Sequence, residues 1–281
     1  VIRFNTETQT WGFFNNGVWK FADKNNSALY PHCRQIAEII KENAPKYSVI
    51  QNSDGSITQN ENQNQPKDAQ EVLNGETLTK MWQKKKTHCN AIEMLKGRSE
   101  ILVTQNDLDK NPMLLNVKNG FINLETGKFY PSDPKQLFTK QANVIFDPRA
   151  TCPAFNKFMQ EILPDEQTRA AVLRWLGYCL TGLVNEEKAL FVVGTGANGK
   201  GTLFDTINFV LNDYATTFNV ELILRQRYSV NANAPTAERA KLRDVRFAYA
   251  PEIPAGREFD LATFKELTGG EDRYYHLVLL A

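Results

Sequence analysis

Neither sign of charge prevails in this chain. Its 33 Lys and Arg stand against 32 Asp and Glu, for a net charge of +1. No global positive field advertises nucleic acid, so any such function must rest on something local. Up to residue 150 there are 19 basic against 16 acidic residues, and after it 14 against 16, so neither part is a basic module. Cysteine and histidine are scarce, at four and three residues. Cys33, Cys89, Cys152 and Cys179 lie far apart and form no CxxC pair. With no secretory signal, they read as reduced thiols of a cytoplasmic protein. His32-Cys33 and His88-Cys89 carry ligand types that zinc accepts, but adjacent ligands converge poorly on one ion and buried cysteine is commonly plain core. No apolar run approaches the ~20 residues that span a bilayer, which argues against a membrane protein. What remains is an ordinary globular mixture, 42% hydrophobic and 23% charged over 281 residues. That length suits one large domain or two ordinary ones, and the mixture excludes collagen, coiled coil and disorder throughout.

Along the chain, Trp11, Phe13, Phe14, Trp19 and Phe21 surround Asn15-Asn16-Gly17, the pattern of a β-hairpin with a tight turn. Exposed aromatics could stack on bases, whereas a small hydrophobic sub-core is their usual fate. Ile36, Ile39 and Ile40 fall at helical spacing before Pro45, and a second helical stretch covers about Thr77 to Leu95 with Lys84, Lys85 and Lys86 on it. Between them, Gln51 to Lys67 is polar with no apolar period and reads as a loop. Leu114 to Gly127 reads as a second hairpin, and Pro131, Pro134 and Pro148 punctuate a link that places the domain boundary near Pro148.

After Cys152 the pattern alternates between helix and strand, which predicts an α/β sheet. Pro164-Asp165-Glu166 is a helix start, with Val172, Leu173, Leu176 and Leu180 at helical spacing behind it. Ala189 to Val193 is a continuous apolar run, expected of a strand buried on both faces of a parallel sheet. Leu203, Ile207, Val210 and Leu211 stripe the next helix, and Val245 to Ala250 forms a further strand.

Between that first strand and its helix lies Gly194-Thr195-Gly196-Ala197-Asn198-Gly199-Lys200-Gly201-Thr202. The spacing GxxxxGK is that of a nucleoside-triphosphate phosphate loop. Glycines let the backbone wrap closely and aim several N–H groups at a phosphate. The helix adds its positive N-terminal end, and Lys200 reaches the β- and γ-phosphates. Ser or Thr should follow the lysine to ligate Mg²⁺, but Gly201 stands there. Either Thr202, the nearest hydroxyl, bends back to the metal, or waters and acids alone hold it. A carboxylate closing a neighbouring strand should orient water, and Glu252 after Pro251 is the candidate. Downstream, Lys265 to Thr268 and then Gly269-Gly270 form a basic helix turn with a tight reversal.

In that order, the phosphate loop, the strand ending in Glu252 and the Lys265–Gly270 stretch resemble the helicase domain of phage, plasmid and poxvirus-type primase-helicases. These are superfamily 3 enzymes with an AAA+ type core. Trp11 to Trp19, Leu114 to Gly120 with Thr126-Gly127, Pro153 to Phe158 and Leu176 to Gly182 resemble that family's amino-terminal companion region. The resemblance implies a companion domain over 1–148, mixed α+β and mainly helical with short hairpins. It implies a P-loop helicase core over 149–281, cut before its sensor and arginine finger. It further implies an ATP- and Mg²⁺-dependent motor, a homo-oligomeric ring (usually a hexamer), moving on single-stranded DNA in replication of a mobile element. The setting would be the host cell cytoplasm, with a primase module possible in the same full-length chain. By the same resemblance Gly194, Gly199, Lys200 and Thr202 hold ATP, Glu252 is the Walker B acid, left to serve both metal and water, and Lys265, Gly269 and Gly270 adjoin the DNA-contacting hairpin. Val1 is not a start methionine and His276 to Ala281 stops without a cap, so the chain reads as a fragment. Without the sensor and arginine finger, the resemblance implies that it binds ATP but turns it over poorly. Two rivals share the loop: a nucleoside monophosphate kinase, although 193 residues precede Gly194 here, and a non-catalytic ATP-binding assembly module.

Overall fold

A computed structural model describes residues 1–43, 49–51, 57–59, 70–73, 80–194, 196, 198–225, 234–254, 256–269 and 276–280. The chain forms two compact units, Val1–Phe13 with Lys20–Gln105, and Phe14–Trp19 with Asn106–Ala281.

A four-stranded sheet lies mostly in the first unit, with Phe14–Asn15 and Val18–Trp19 of its hairpin counted in the second. Its strands are β1 (Ile2–Asn5), β2 (Thr10–Asn15), β3 (Val18–Asp23) and β7 (Leu102–Val103), in the order β3-β2-β1-β7. The Asn-Gly signal holds: Asn16 and Gly17 both take positive φ, 50° and 83°, as a tight hairpin turn of right-handed strands requires. The aromatics form a sub-core. Phe4 faces Trp11 across the β1–β2 pair, and both pack with Leu29, Cys33 and Ile92. Trp11 Nε1 donates to Asn26 at 2.7 Å, so its polar tip is satisfied. Helix α1 (Tyr30–Asn43) is where the isoleucine spacing puts it, but Ile36 and Ile39 are exposed. In the second stretch, helix α2 (Lys85–Lys96) begins only after a break at Gln83–Lys84. The lysine triplet therefore sits at the start of α2, with no acid in its first turn.

Three short strands, β4 (Val49–Gln51), β5 (Ile57–Gln59) and β6 (Gln70–Leu73), make an antiparallel sheet in the order β5-β4-β6. The loop expected over Gln51 to Lys67 thus contains parts of two strands, and the rest of it lies outside the described residues. Strands and helices share the companion region, which is not mainly helical. Alternation over three residues is too short a signal to read from sequence.

In the second unit, β8 (Leu114–Val117), β9 (Gly120–Asn123) and β10 (Lys128–Tyr130) form an antiparallel meander. The hairpin was legible; its third strand, exposed throughout, was not. Helix α3 (Pro153–Ile162) starts on its proline. Helix α4 (Glu166–Tyr178) is capped by the Asp165 carboxylate, which accepts from the Thr168 N–H at 2.7 Å. Leu180 falls beyond its end, and Leu173 on it is exposed.

The centre is a parallel sheet of β11 (Ala189–Val192), β12 (Ala215–Thr217), β13 (Phe247–Ala250) and β14 (His276–Leu280), in the order β11-β14-β13-β12. Successive side chains point to opposite faces of a strand, and here they enter two separate cores. Phe247, Tyr249, Val278 and Leu280 join Met159, Leu176, Phe204 and Tyr214 on one face. Ala248, Ala250, Leu277 and Leu279 join Ile223, Leu224, Leu242 and Leu267 on the other. Helices α5 (Lys200–Leu211), α6 (Ala234–Leu242) and α7 (Leu261–Thr268) complete this α/β unit. Burial on both faces holds for β13 and β14, but not for β11. That strand has β14 as its one described neighbour, and Phe191 is 47% exposed.

Apart from Phe14–Trp19, the two units divide at Gln105/Asn106. Leu115, Val117 and Ala142 share one core with Met159, Leu176 and Phe247, so the residues before Pro148 fold with those after it. Among the described residues no helix is long and apolar enough to cross a membrane.

Candidate nucleotide-binding site

Three parallel strands bring the site together at their carboxyl ends, where open α/β sheets place ligands. Gly194 follows β11, Pro251 and Glu252 follow β13, and Leu280 ends β14. They line a cavity of about 300 Å³ with Gly196, Lys200, Gly201, Asp205 and Tyr249. Thr195 and Ala197 of the loop lie outside the described residues.

The loop's glycines are there for two reasons. Gly199 caps α5 with φ 81°, a left-handed conformation that side chains resist. A Cβ there would also sit 2.5 Å from Ile162 Cγ2. At Gly194 the loop is closely wrapped: a Cβ would fall 2.0 Å from the Asn198 side-chain nitrogen and 2.9 Å from Lys200 Nζ, both ends of side chains that would have to move. The loop is folded back on itself, and Lys200 Nζ donates to the Gly194 carbonyl at 3.0 Å. No side chain caps α5, so the N–H groups of its first turn are left to another acceptor, the condition that makes a helix start receptive to phosphate.

Two carboxylates share this cavity with one ammonium. Glu252 is exposed just past the end of β13, as the sequence suggested. Asp205 was not singled out. It stands on α5 four residues after Gly201, and its carboxylate accepts the hydroxyl proton of Tyr249, which is buried in β13. Burial and the Asp205 carboxylate both hold the Tyr249 hydroxyl well above the ordinary phenol range, so it stays a donor. The signal for Asp205 was the i+4 spacing from Gly201, meaningful only once Tyr249 is known to face it. Thr202 is exposed and is not among the residues that line the cavity.

Mg²⁺ prefers oxygen ligands and is commonly held by one or two carboxylates plus phosphates, keeping several waters. Asp205 and Glu252 fit that donor set. Lys265 and Gly269 are placed elsewhere: Lys265 is exposed on α7, and its carbonyl accepts the Gly269 N–H at 2.7 Å as the helix ends. Gly270 lies outside the described residues. Cys33 is core, His88 bonds the Trp82 carbonyl, and among the described residues no three His, Cys, Asp or Glu side chains could hold one ion.

Comparison with known proteins bears on the whole chain. "Putative helicase L207/L206" of Acanthamoeba polyphaga mimivirus is 26% identical over 269 residues, covering 93% of this chain and 27% of that protein. "Putative primase C962R" of African swine fever virus (isolate Warthog/Namibia/Wart80/1980) is 26% identical over 172 residues, 59% of this chain and 18% of that one. "Putative helicase 121R" of Invertebrate iridescent virus 3 is 25% identical over 173 residues, 58% and 18% respectively. The chain thus spans about a quarter or less of the length of the curated relatives it matches. Among solved structures, the apo A form of the NrS-1 C terminal region aligns with 99% of this chain and 53% of its own, at 10% identity and a TM-score of 0.48. The profile of the D5 N terminal-like family matches residues 2–164, more than half of the sequence and all of it before the phosphate loop. This chain belongs to the D5 N terminal-like family.

Proposed function

We propose that this chain binds ATP at Gly194–Thr202 and contributes the nucleotide site of an AAA+ type, superfamily 3 DNA helicase of a replicative primase-helicase. The observation that carries the reading is one cavity at the carboxyl ends of parallel strands, lined by a glycine-folded loop, Lys200 and Glu252. Main-chain N–H groups at the start of α5 and the Lys200 ammonium receive the phosphates. Glu252 orients the attacking water and takes up its proton, and Mg²⁺, where bound, neutralises phosphate charge. The viral relatives named as helicases and primases favour replication over metabolism as the setting. Single-stranded DNA as the track, a homo-oligomeric ring such as a hexamer, and a primase module in the same protein belong to this reading.

Its test is direct. Lys200→Ala weakens binding of a fluorescent ATP analogue by roughly 100-fold, the effect of losing a charge-assisted contact to phosphate. Glu252→Gln keeps binding and lowers turnover by about 10²–10⁴-fold, as loss of a general base does. Hydrolysis that rises with single-stranded DNA supports the helicase reading. Phosphoryl transfer to AMP would favour a kinase, and ATP binding without turnover in the full-length protein an assembly module. ATP affinity untouched by Lys200→Ala overturns the site itself.

A further inference from the structure

The phosphate loop presents an unusual deficit and, one helical turn away, a carboxylate. Gly201 stands where a hydroxyl normally meets Mg²⁺, and a Cβ added there would find nothing within 4 Å. The space beside the loop is therefore open. In an α-helix each side chain leans toward the N-terminus, so residue i+4 extends over residue i. Asp205 is i+4 to Gly201, exposed on α5, and lines the same cavity as Lys200 and Glu252. Its carboxylate is also held: the buried Tyr249 hydroxyl donates to it from β13, the strand that leads to Glu252.

We propose that Asp205 is the metal-side ligand of the nucleotide site, supplying through its carboxylate, directly or through one water, the oxygen that Gly201 lacks, with Tyr249 as its positioning residue. The inference rests on the ATP-binding reading above and adds to it the group that makes binding depend on Mg²⁺. A carboxylate in place of a hydroxyl brings a full negative charge to the metal. Mg²⁺, where bound, would offset the charge that Asp205 places beside the phosphates.

The test is ATP affinity measured by calorimetry with Mg²⁺ in excess and again in EDTA, which reads binding rather than turnover. The parent chain binds ATP more tightly with Mg²⁺ than in EDTA. Asp205→Asn removes about 10–100-fold of that gain, the scale on which lost metal-site groups act. It raises the EDTA affinity, because a negative charge beside the phosphates is gone. Tyr249→Phe shifts the Mg²⁺ gain in the same direction by a smaller factor. Gly201→Ser in the Asp205→Asn background restores the gain, since the serine occupies open space and supplies the usual hydroxyl. Asp205 and Gly201 are exposed, and circular dichroism checks that every variant, Tyr249→Phe included, keeps the parent fold. Parental Mg²⁺ dependence in Asp205→Asn overturns the proposal while leaving ATP binding intact. A parent chain that binds no ATP under either condition instead overturns the underlying reading.

Discussion

His276 opens β14 at 2% exposure, its ring 4.1 Å from that of Tyr178 and its Nε2 3.3 Å from the Thr181 carbonyl. Burial first, and the Arg246 cation second, press its pKa down to about 4 from the ordinary 6.5, against the pull of Thr181. The folded state therefore holds that proton less tightly than the unfolded chain. Between pH 4 and 6.5 the unfolded chain binds more protons, so stability is full above 6.5 and declines as pH falls toward 4. The shift amounts to about 3 kcal/mol. Urea midpoints taken across this window should slope for the parent and lie flatter for His276→Gln, which does not titrate. Equal slopes in the two proteins would show that His276 is not the source.

Arg246, just before β13, ties elements together. Its guanidinium donates to the Leu180 carbonyl after α4 and to the Leu114 carbonyl of β8 at 2.7 Å, and it lies 4.5 Å over the Tyr214 ring. Arg246→Ala should cost about 2–4 kcal/mol by stranding two carbonyls and opening a cavity, read as a lower denaturation midpoint. Arg246→Lys should recover only part of it, because one ammonium cannot reproduce a planar fork. A loss below 1 kcal/mol would mean that water replaces the guanidinium. Local chemistry of this kind was legible only in part. The hairpin at Asn16-Gly17, the Asp165 cap and the glycine loop each follow from a few neighbouring residues whose backbone demands are specific. By contrast, β10 is three exposed residues with no burial to pattern them. The place of β11 in the sheet is a property of its neighbours. Asp205 and Tyr249 meet across 44 residues of sequence, so neither is marked in its own segment.

At the scale of the whole molecule, the second unit includes a distant piece of chain, Phe14–Trp19. The Asn116 amide, buried to 1% exposure, donates to the Gly17 and Lys140 carbonyls at 3.0 and 2.8 Å. Gln141 Nε2 donates to Asn16, and the Trp19 backbone N–H to Phe138 at 2.7 Å. The near balance of charge left no such link to be read from composition. A shortened chain of residues 106–281 should accordingly be less stable than the same unit in the whole chain, by about 2–4 kcal/mol from unpaired amide groups and the lost indole. Unchanged stability by tryptophan fluorescence in urea would show that unit to be self-sufficient.

This chain discontinuity also sets a schedule at the ribosome. The Trp19 indole donates to the Pro134 carbonyl, 115 residues later in the sequence. At translation speeds of about 5–20 residues per second, that partner emerges roughly 6–23 s after the tryptophan. For that interval the hairpin tip is a greasy, half-finished surface on a nascent polypeptide, the moment when a chaperone has something to hold.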